Sequence, residues 1–123
     1  MNEVCLFCEY ENFEVIAEND LSFAIRDKYP VTDLHTLILS KEHYETVFDL
    51  PTNELMSIFE LAKLCRSEIL KKDHSVKGFN FGSNSGEVAG QKIEHVHFHL
   101  IPRREGDVEP PAAVQNKEIK NNT

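Results

Sequence analysis

The stretch His95-Val96-His97-Phe98-His99-Leu100-Ile101 carries the strongest structural signal in this 123-residue chain. Its imidazoles alternate with apolar residues at a period of two, which is the side-chain period of a β-strand. The sequence therefore predicts a strand with three histidines on one face and its apolar side chains in a core. Pro102 is expected to end this strand, because proline has no N–H to donate to a sheet.

Three uses compete for a strand face of imidazoles, which titrate near neutral pH. The histidines could form the solvated face of an amphipathic strand, although such faces usually carry Thr, Lys and Glu. They could ligate a metal ion such as zinc. They could also carry out chemistry on a bound substrate, as nucleophile and hydrogen-bonding groups.

The loop that precedes the histidines favours the chemical use. It reads Asn84-Ser85-Gly86-Glu87-Val88-Ala89-Gly90-Gln91. Glycine lets the backbone approach a ligand closely, and amide side chains donate hydrogen bonds to anionic oxygens. The loop alone would be read as a turn, but its position next to the histidines predicts a phosphate-binding site.

Composition is that of an ordinary globular domain, with 41% apolar and 28% charged residues. The formal net charge of -8 argues against a general nucleic-acid binder or an anionic-membrane binder. No apolar run approaches the roughly 18 residues that a membrane span needs, and no secretory signal is visible. Three cysteines argue against a disulfide framework, so a cytoplasmic location is expected.

Turn residues and periodicity predict the remaining strands. Asn19-Asp20 separates two runs of β-formers, so residues 14–17 and 21–26 are expected to form a hairpin. Two further apolar runs, 35–39 and 79–82, are typical of strands.

One long helix is predicted from Pro51 to Lys72, because proline suits a first helical position and the apolar residues recur with helical periodicity. A short helix is expected within residues 42–48. This order predicts one α+β domain over residues 1–110, with a mostly antiparallel five-stranded sheet. Residues 111–123 form a polar tail that is expected to be disordered.

Cys5-x-x-Cys8 is half of a possible metal site. A lone pair of this kind is ambiguous between zinc, redox chemistry and chance. His43 and His95 are candidates to complete a tetrahedral Cys2His2 set. Redox use is less favoured, since no βαβ pattern surrounds the cysteines.

These motifs together resemble the histidine triad (HIT) superfamily, in its zinc-containing, Hint-like branch, over roughly Cys5 to Arg104. Gly106-Asp107-Val108 is similar to a segment of bacterial relatives described as dinucleoside polyphosphate hydrolases. The resemblance rests on five motifs, in chain order: Cys5-x-x-Cys8, Asp27 before Pro30, His35-Thr36-Leu37-Ile38-Leu39-Ser40-Lys41-x-His43, Asn84-x-Gly86-x-x-Ala89-Gly90-Gln91, and His95-x-His97-x-His99-Leu100-Ile101-Pro102-Arg103.

The resemblance implies a HIT-like fold, with helices packed on one side of the sheet, and a homodimer with a continuous sheet. It implies a nucleotide hydrolase that acts on a purine nucleotide substrate, without nucleic-acid or membrane partners. The enzyme would cleave nucleoside phosphoramidates or dinucleoside polyphosphates at the α-phosphate and release a nucleoside monophosphate. The alternatives are a nucleotidyltransferase or phosphorylase, a nucleotide-binding interaction module, and a zinc hydrolase whose metal is held by the three histidines.

The resemblance also implies roles for individual residues. His97 would be the nucleophile that forms a nucleotidyl-histidine intermediate, and the other implied catalytic residues are His95, His99 and Gln91. The implied substrate-binding residues are Asp27 for the ribose hydroxyls, then His35, Asn84, Gly90, Gln91, Lys92 and His99. A structural Zn²⁺ would be bound by Cys5, Cys8, His43 and His95.

Some positions depart from the commoner family pattern. Asp33-Leu34 precedes His35 where Pro-Gly is frequent, and Lys92 stands where a small hydroxyl residue often contacts phosphate. Glu94 replaces a usual aromatic or apolar residue. Apolar contacts to the base are expected from Phe7, Phe23 or Ile25.

Overall fold

Residues 5–107 are described by the computed structural model of this chain. The strands are β1 Ala17–Glu18, β2 Ser22–Arg26, β3 Thr36–Ser40, β4 Val76–Gly82 and β5 His97–Arg104, and the helix α1 is Thr52–Lys72. The strands form one sheet in the order β1-β2-β3-β5-β4, with every neighbouring pair antiparallel. The predicted α+β class and five-stranded sheet are confirmed. The predicted tail, 111–123, lies outside the described residues.

Several sequence predictions were wrong in their bounds. The strand expected at 79–82 begins at Val76, and the strand expected at 95–101 is His97–Arg104. The short helix expected within 42–48 is only a 3₁₀ turn, Val47–Asp49, which Thr46 caps by accepting a hydrogen bond from the Phe48 N–H. The strand expected at 14–17 is reduced to Ala17–Glu18. The chain ahead of it instead lies across the sheet and helps to bury a second face.

Pro102 does not end its strand, which continues to Arg104. Pro102 is paired with Phe79 of β4, whereas the ladder to β3 already stops at Leu100. Its carbonyl oxygen faces the β3 side, where the Thr32 hydroxyl donates to it at 2.7 Å. The position of the missing Pro102 N–H faces the same side, beyond the end of the pairing with β3. Proline therefore removes no hydrogen bond of the sheet there.

Both faces of the central strands are buried. One face packs against α1 through a cluster that includes Ile38, Phe98 and Leu100. The opposite face forms a second cluster under the N-terminal segment, made of Phe7, Phe23, Ile25, Leu37 and Leu39. His97 and His99 alternate with Phe98 on β5 and so lie on this second face, as the period of two predicts.

The prediction of three histidines on one strand was wrong for His95, which lies just before β5 and is fully buried. Its neighbour Val96 is held by a hydrogen bond from its N–H to the Tyr44 carbonyl, at 2.7 Å. Within residues 5–107, no helix is both long and apolar enough to cross a membrane.

Candidate active site

The His97 ring is fixed by the backbone of the residue two positions earlier. His97 Nδ1 lies 2.7 Å from the His95 carbonyl oxygen, which can only accept, so Nδ1 carries the proton. In the neutral ring, Nε2 then keeps the lone pair. The Ser83 hydroxyl donates to the His97 carbonyl at 2.7 Å, which ties the strand to the start of the glycine-containing loop.

The His97 ring borders a cavity of about 840 Å³ on the second face of the sheet. The cavity lining combines predicted site residues with apolar side chains, among them Asp27, His35, Asn84, Gly90, Lys92, His99, Phe7 and Ile25. Phe23 does not line the cavity and is completely buried, so the expected base contact from Phe23 is wrong. Phe7 packs edge-on against the His97 ring, with centroids 5.2 Å apart.

Two further imidazoles and a carboxylate, which belong to residues that line this cavity, lie close together. His35 Nε2 lies 3.0 Å from His99 Nδ1 and 3.4 Å from Asp27 Oδ2. Burial lowers the pKa of both His35 and His99, and for His99 the neighbouring His97 and His35 lower it further. Both rings are therefore neutral at pH 7.

The loop before β5 is shaped by the Gln91 side chain. Gln91 is buried, and its Nε2 donates to the carbonyls of Glu45 and Ile93, at 2.7 and 3.0 Å. Its Oε1 accepts from the Gly86 N–H at 2.8 Å. Both ends of the amide are thus engaged with backbone, so a direct phosphate contact would require one of these bonds to break.

A second cavity, of about 780 Å³, adjoins the first. Gly90 and Lys92 line both cavities, so the two meet at these residues. Among residues 5–107, three glutamates line the second cavity, Glu45, Glu87 and Glu94, and Lys92 is the one basic residue beside them. Its lining is therefore predominantly negative.

Cys5, Cys8, His43 and His95 come together as the sequence suggested, with their ligand atoms all within 4.8 Å of one another. Three sulfur–nitrogen distances are 3.3, 3.3 and 3.5 Å. A tetrahedral zinc ion with ordinary Zn–S and Zn–N lengths would separate such atoms by about 3.5 Å. The donor set and its spacing therefore fit zinc.

The tautomer of His95 is also the one that a zinc ligand at Nδ1 requires. His95 Nε2 lies 2.8 Å from the Ser40 carbonyl oxygen and must donate to it, which leaves Nδ1 as a free acceptor facing both cysteines. Burial lowers the pKa of His95, so the ring is neutral. Burial and the neighbouring Cys5 raise the pKa of Cys8 to about 11, so the Cys8 thiolate is disfavoured without a cation.

The HIT domain family model matches residues 11–106 of the chain, most of its length. The chain belongs to the HIT family. An uncharacterized HIT-like protein of Methanocaldococcus jannaschii is 40% identical, over 96% of this chain and 91% of its own length. An adenosine 5'-monophosphoramidase of Saccharomyces cerevisiae is 32% identical, over 85% of this chain and 66% of its own length.

A solved structure supports the same family at the level of the fold. The crystal structure of a HIT family protein from Bacillus anthracis superposes with a TM-score of 0.77 at 29% identity, covering 97% of this chain and 96% of that one.

Sequence reasoning missed several residues that support the site of this HIT protein. Ser40 and Tyr44 act through their backbone carbonyls, and Ser83 acts through its hydroxyl. Leu34 has a φ of 72°, in the left-handed region, directly before His35. Only Leu34 had a sequence signal, since it occupies a position where glycine is frequent in the family.

Gly90→Ala should destabilise the protein by about 1–2 kcal/mol, because an L residue is strained at positive φ. Gly90 has a φ of 103°, and an added Cβ would lie 3.3 Å from Asn84 Nδ2. Gly82→Ala is the matched control, since nothing lies within 4 Å of a Cβ there. Urea unfolding of both variants measures the difference, and equal stabilities would contradict the loop geometry.

Proposed function

We propose that this HIT protein is a nucleotide hydrolase that works through a covalent nucleotidyl-His97 intermediate. The observation that carries the proposal is the His97 Nδ1–His95 carbonyl bond, at 2.7 Å. In the neutral ring this bond places the lone pair on Nε2, and a nucleophilic imidazole attacks through such a lone pair. The His97 ring also borders a cavity of a size suited to a small ligand.

The proposed reaction has two displacements at the α-phosphorus. First, the His97 Nε2 lone pair attacks phosphorus, and the bond to the leaving group breaks. The leaving group departs with that electron pair and takes up a proton. The imidazolium keeps its Nδ1 proton, and the His95 carbonyl stabilises the positive charge. Water then attacks phosphorus and loses a proton, the N–P bond breaks, and a nucleoside monophosphate is released.

Other residues have positioning roles in this proposal. Asp27, half-buried at the cavity wall, would accept the ribose hydroxyls, while Phe7 and Ile25 would contact a purine base. Asn84 and His99 would hydrogen-bond the phosphate oxygens. Gln91 would act by holding the loop in shape, given its three bonds to backbone.

The second cavity favours a phosphoramidate over a dinucleoside polyphosphate. A leaving amine can be cationic, and the carboxylates of Glu45, Glu87 and Glu94 would attract it. A polyphosphate would meet these same carboxylates, with Lys92 as the one basic residue in the described part of the lining. The yeast relative, named an adenosine 5'-monophosphoramidase, supports the same substrate class.

His97→Ala should abolish AMP release and the adduct, a loss of about 10³-fold or more, because no other residue replaces the nucleophile. Wild type and variant are each given adenosine 5'-phosphoramidate and a diadenosine polyphosphate, with rapid-quench intact mass recorded. His74→Ala is the control, since His74 is exposed and lies after α1. We expect the phosphoramidate to be the faster substrate.

Three outcomes would contradict the proposal in different ways. AMP release by His97→Ala would exclude the covalent route. ADP formation in the presence of inorganic phosphate would favour a phosphorylase, with phosphate as the acceptor. Nucleotide binding without turnover by wild type would favour an interaction module.

We further propose that Cys5, Cys8, His43 and His95 bind a structural Zn²⁺, which would fix the N-terminal segment and the His95 backbone. The measured spacing and the His95 tautomer support this set. Thiolate ligands require free cysteines, and Cys5 and Cys8 are free, in keeping with a reducing cytoplasm.

Cys5→Ala should lower the zinc content of the purified protein well below one ion per chain, because one of four ligands is lost. Cys65→Ala is the matched control, since Cys65 is buried in the α1-side core and lies outside the ligand cluster. Elemental analysis measures both. Full zinc retention after loss of both Cys5 and Cys8 would instead support a metal on the three histidines.

A homodimer is proposed from an apolar surface at one edge of the sheet. Leu55, Met56 and Phe59 of α1 are exposed, and Phe59 contacts exposed Phe81 of β4, with ring centroids 6.4 Å apart. In the sheet that residues 5–107 form, β4 is a terminal strand, so one side of its backbone has no strand partner within that range. A second copy would cover the side chains and extend the sheet.

Phe59→Glu should convert the dimer into monomer, because a charge would be buried in the interface. Phe48→Glu is the matched control, since Phe48 is 86% exposed and lies outside this surface. Light scattering gives both masses. A monomeric wild type at high micromolar concentration would contradict the proposal.

A further inference from the structure

Asp27, His35 and His99 form a second cluster of possible metal ligands, with one atom of each within 4.8 Å of the others. His35 Nε2 is the central atom, 3.0 Å from His99 Nδ1 and 3.4 Å from Asp27 Oδ2. These distances alone would suit either a cation or a chain of hydrogen bonds.

The hydrogen bond at the other ring nitrogen of His35, Nδ1, distinguishes a cation site from a chain of hydrogen bonds. The Val31 N–H donates to His35 Nδ1 at 3.0 Å, so Nδ1 is an acceptor and carries no proton. A neutral imidazole must then keep its single proton on Nε2. A cation bound at Nε2 would require an imidazolate with neither nitrogen protonated, which is a costly state for a ring that is 2% exposed.

The proton on His35 Nε2 therefore has to be donated. His99 Nδ1, at 3.0 Å, is nearer than Asp27 Oδ2, at 3.4 Å. If His99 Nδ1 accepts this proton, the single proton of the neutral His99 ring lies on its own Nε2. His99 then has the tautomer opposite to that of His97, whose proton is on Nδ1.

We infer that His35 is a positioning residue that fixes His99 as its Nε2–H tautomer, so that His99 offers a hydrogen-bond donor beside the nucleophile. The two rings are adjacent, with centroids 5.4 Å apart. The neighbouring residues thus supply a lone pair from His97 and an N–H from His99. The use of that donor rests on the proposed function, since it needs a phosphate oxygen or a leaving group to receive it.

The backbone around His35 keeps the Val31 amide in place. The His35 N–H donates to the Thr32 carbonyl at 3.2 Å, and the Asp27 N–H donates to the His35 carbonyl at 2.9 Å. The Thr36 hydroxyl donates to the Leu34 carbonyl at 2.8 Å. Leu34 itself takes up the left-handed conformation that closes this turn. The chain of bonds from Val31 to His99 is therefore anchored at its start.

The direct test is the tautomer of each ring, read from two-bond ¹H–¹⁵N spectra of wild-type protein labelled with ¹⁵N-histidine. We expect His35 and His99 to carry Nε2 protons and His97 to carry an Nδ1 proton. In His35→Leu, the His99 signals should shift towards a mixture of tautomers, whereas His74→Leu should leave them unchanged. An Nδ1 proton on wild-type His99 would overturn the inference, even if His35→Leu fails to fold.

Kinetics separate positioning from a general structural role. His35→Leu should lower kcat by about 100-fold, the low end of the contribution typical of a proton donor, because His99 itself remains, and KM should change little. His35→Gln keeps an N–H near the Nε2 position and should recover much of the loss. Equal defects in the Gln and Leu variants would contradict the inference.

The two proposals fail in distinguishable ways. A wild-type protein with the expected tautomers but no turnover would overturn the proposed function alone. A hydrolytic wild type whose His99 carries its proton on Nδ1 would overturn this inference alone.

Discussion

The hydrogen bond from His97 Nδ1 to the His95 carbonyl is the constraint on which the rest of the site depends. It determines which nitrogen of His97 is free, and it couples the nucleophile to a buried residue. His95 is itself held from two sides, by the Ser40 carbonyl at Nε2 and by the cysteine sulfurs near Nδ1. An error in the position of His95 would therefore be transmitted directly to the reactive ring.

Hydrogen bonds to carbonyls and amides set the tautomers without using any charged partner. The Ser40 carbonyl accepts from His95 and the His95 carbonyl accepts from His97, which fixes the tautomers of these two rings. The Val31 amide donates to His35 and fixes its tautomer. Backbone groups keep their role at all pH values, and burial lowers the pKa of His95, His35 and His99. Three of the imidazoles therefore stay neutral at pH 7 despite lying close together.

The sequence predicted the parts of this molecule that local periodicity determines. The alternation at residues 95–101 identified β5, although the strand runs from His97 to Arg104, and the 3.6-residue period located α1 to within one residue. Periodicity says nothing about partners distant in the chain. It could not reveal that Gln91 is bonded to the Glu45 carbonyl, or that Pro102 lies where the ladder to β3 has stopped. These outcomes depend on register, which only the folded sheet sets.

Leu34 shows how a departure from the family pattern keeps the same geometry. Left-handed backbone costs a non-glycine residue about 1–3 kcal/mol and persists only where surrounding contacts require it. Here the Leu34 side chain packs against the α1-side core, and its carbonyl accepts from the Thr36 hydroxyl. The burial of a leucine, worth about 1.5–3 kcal/mol when complete, offsets much of that cost. A leucine can thus replace a frequent glycine because the turn before His35 supplies an apolar contact that glycine cannot make.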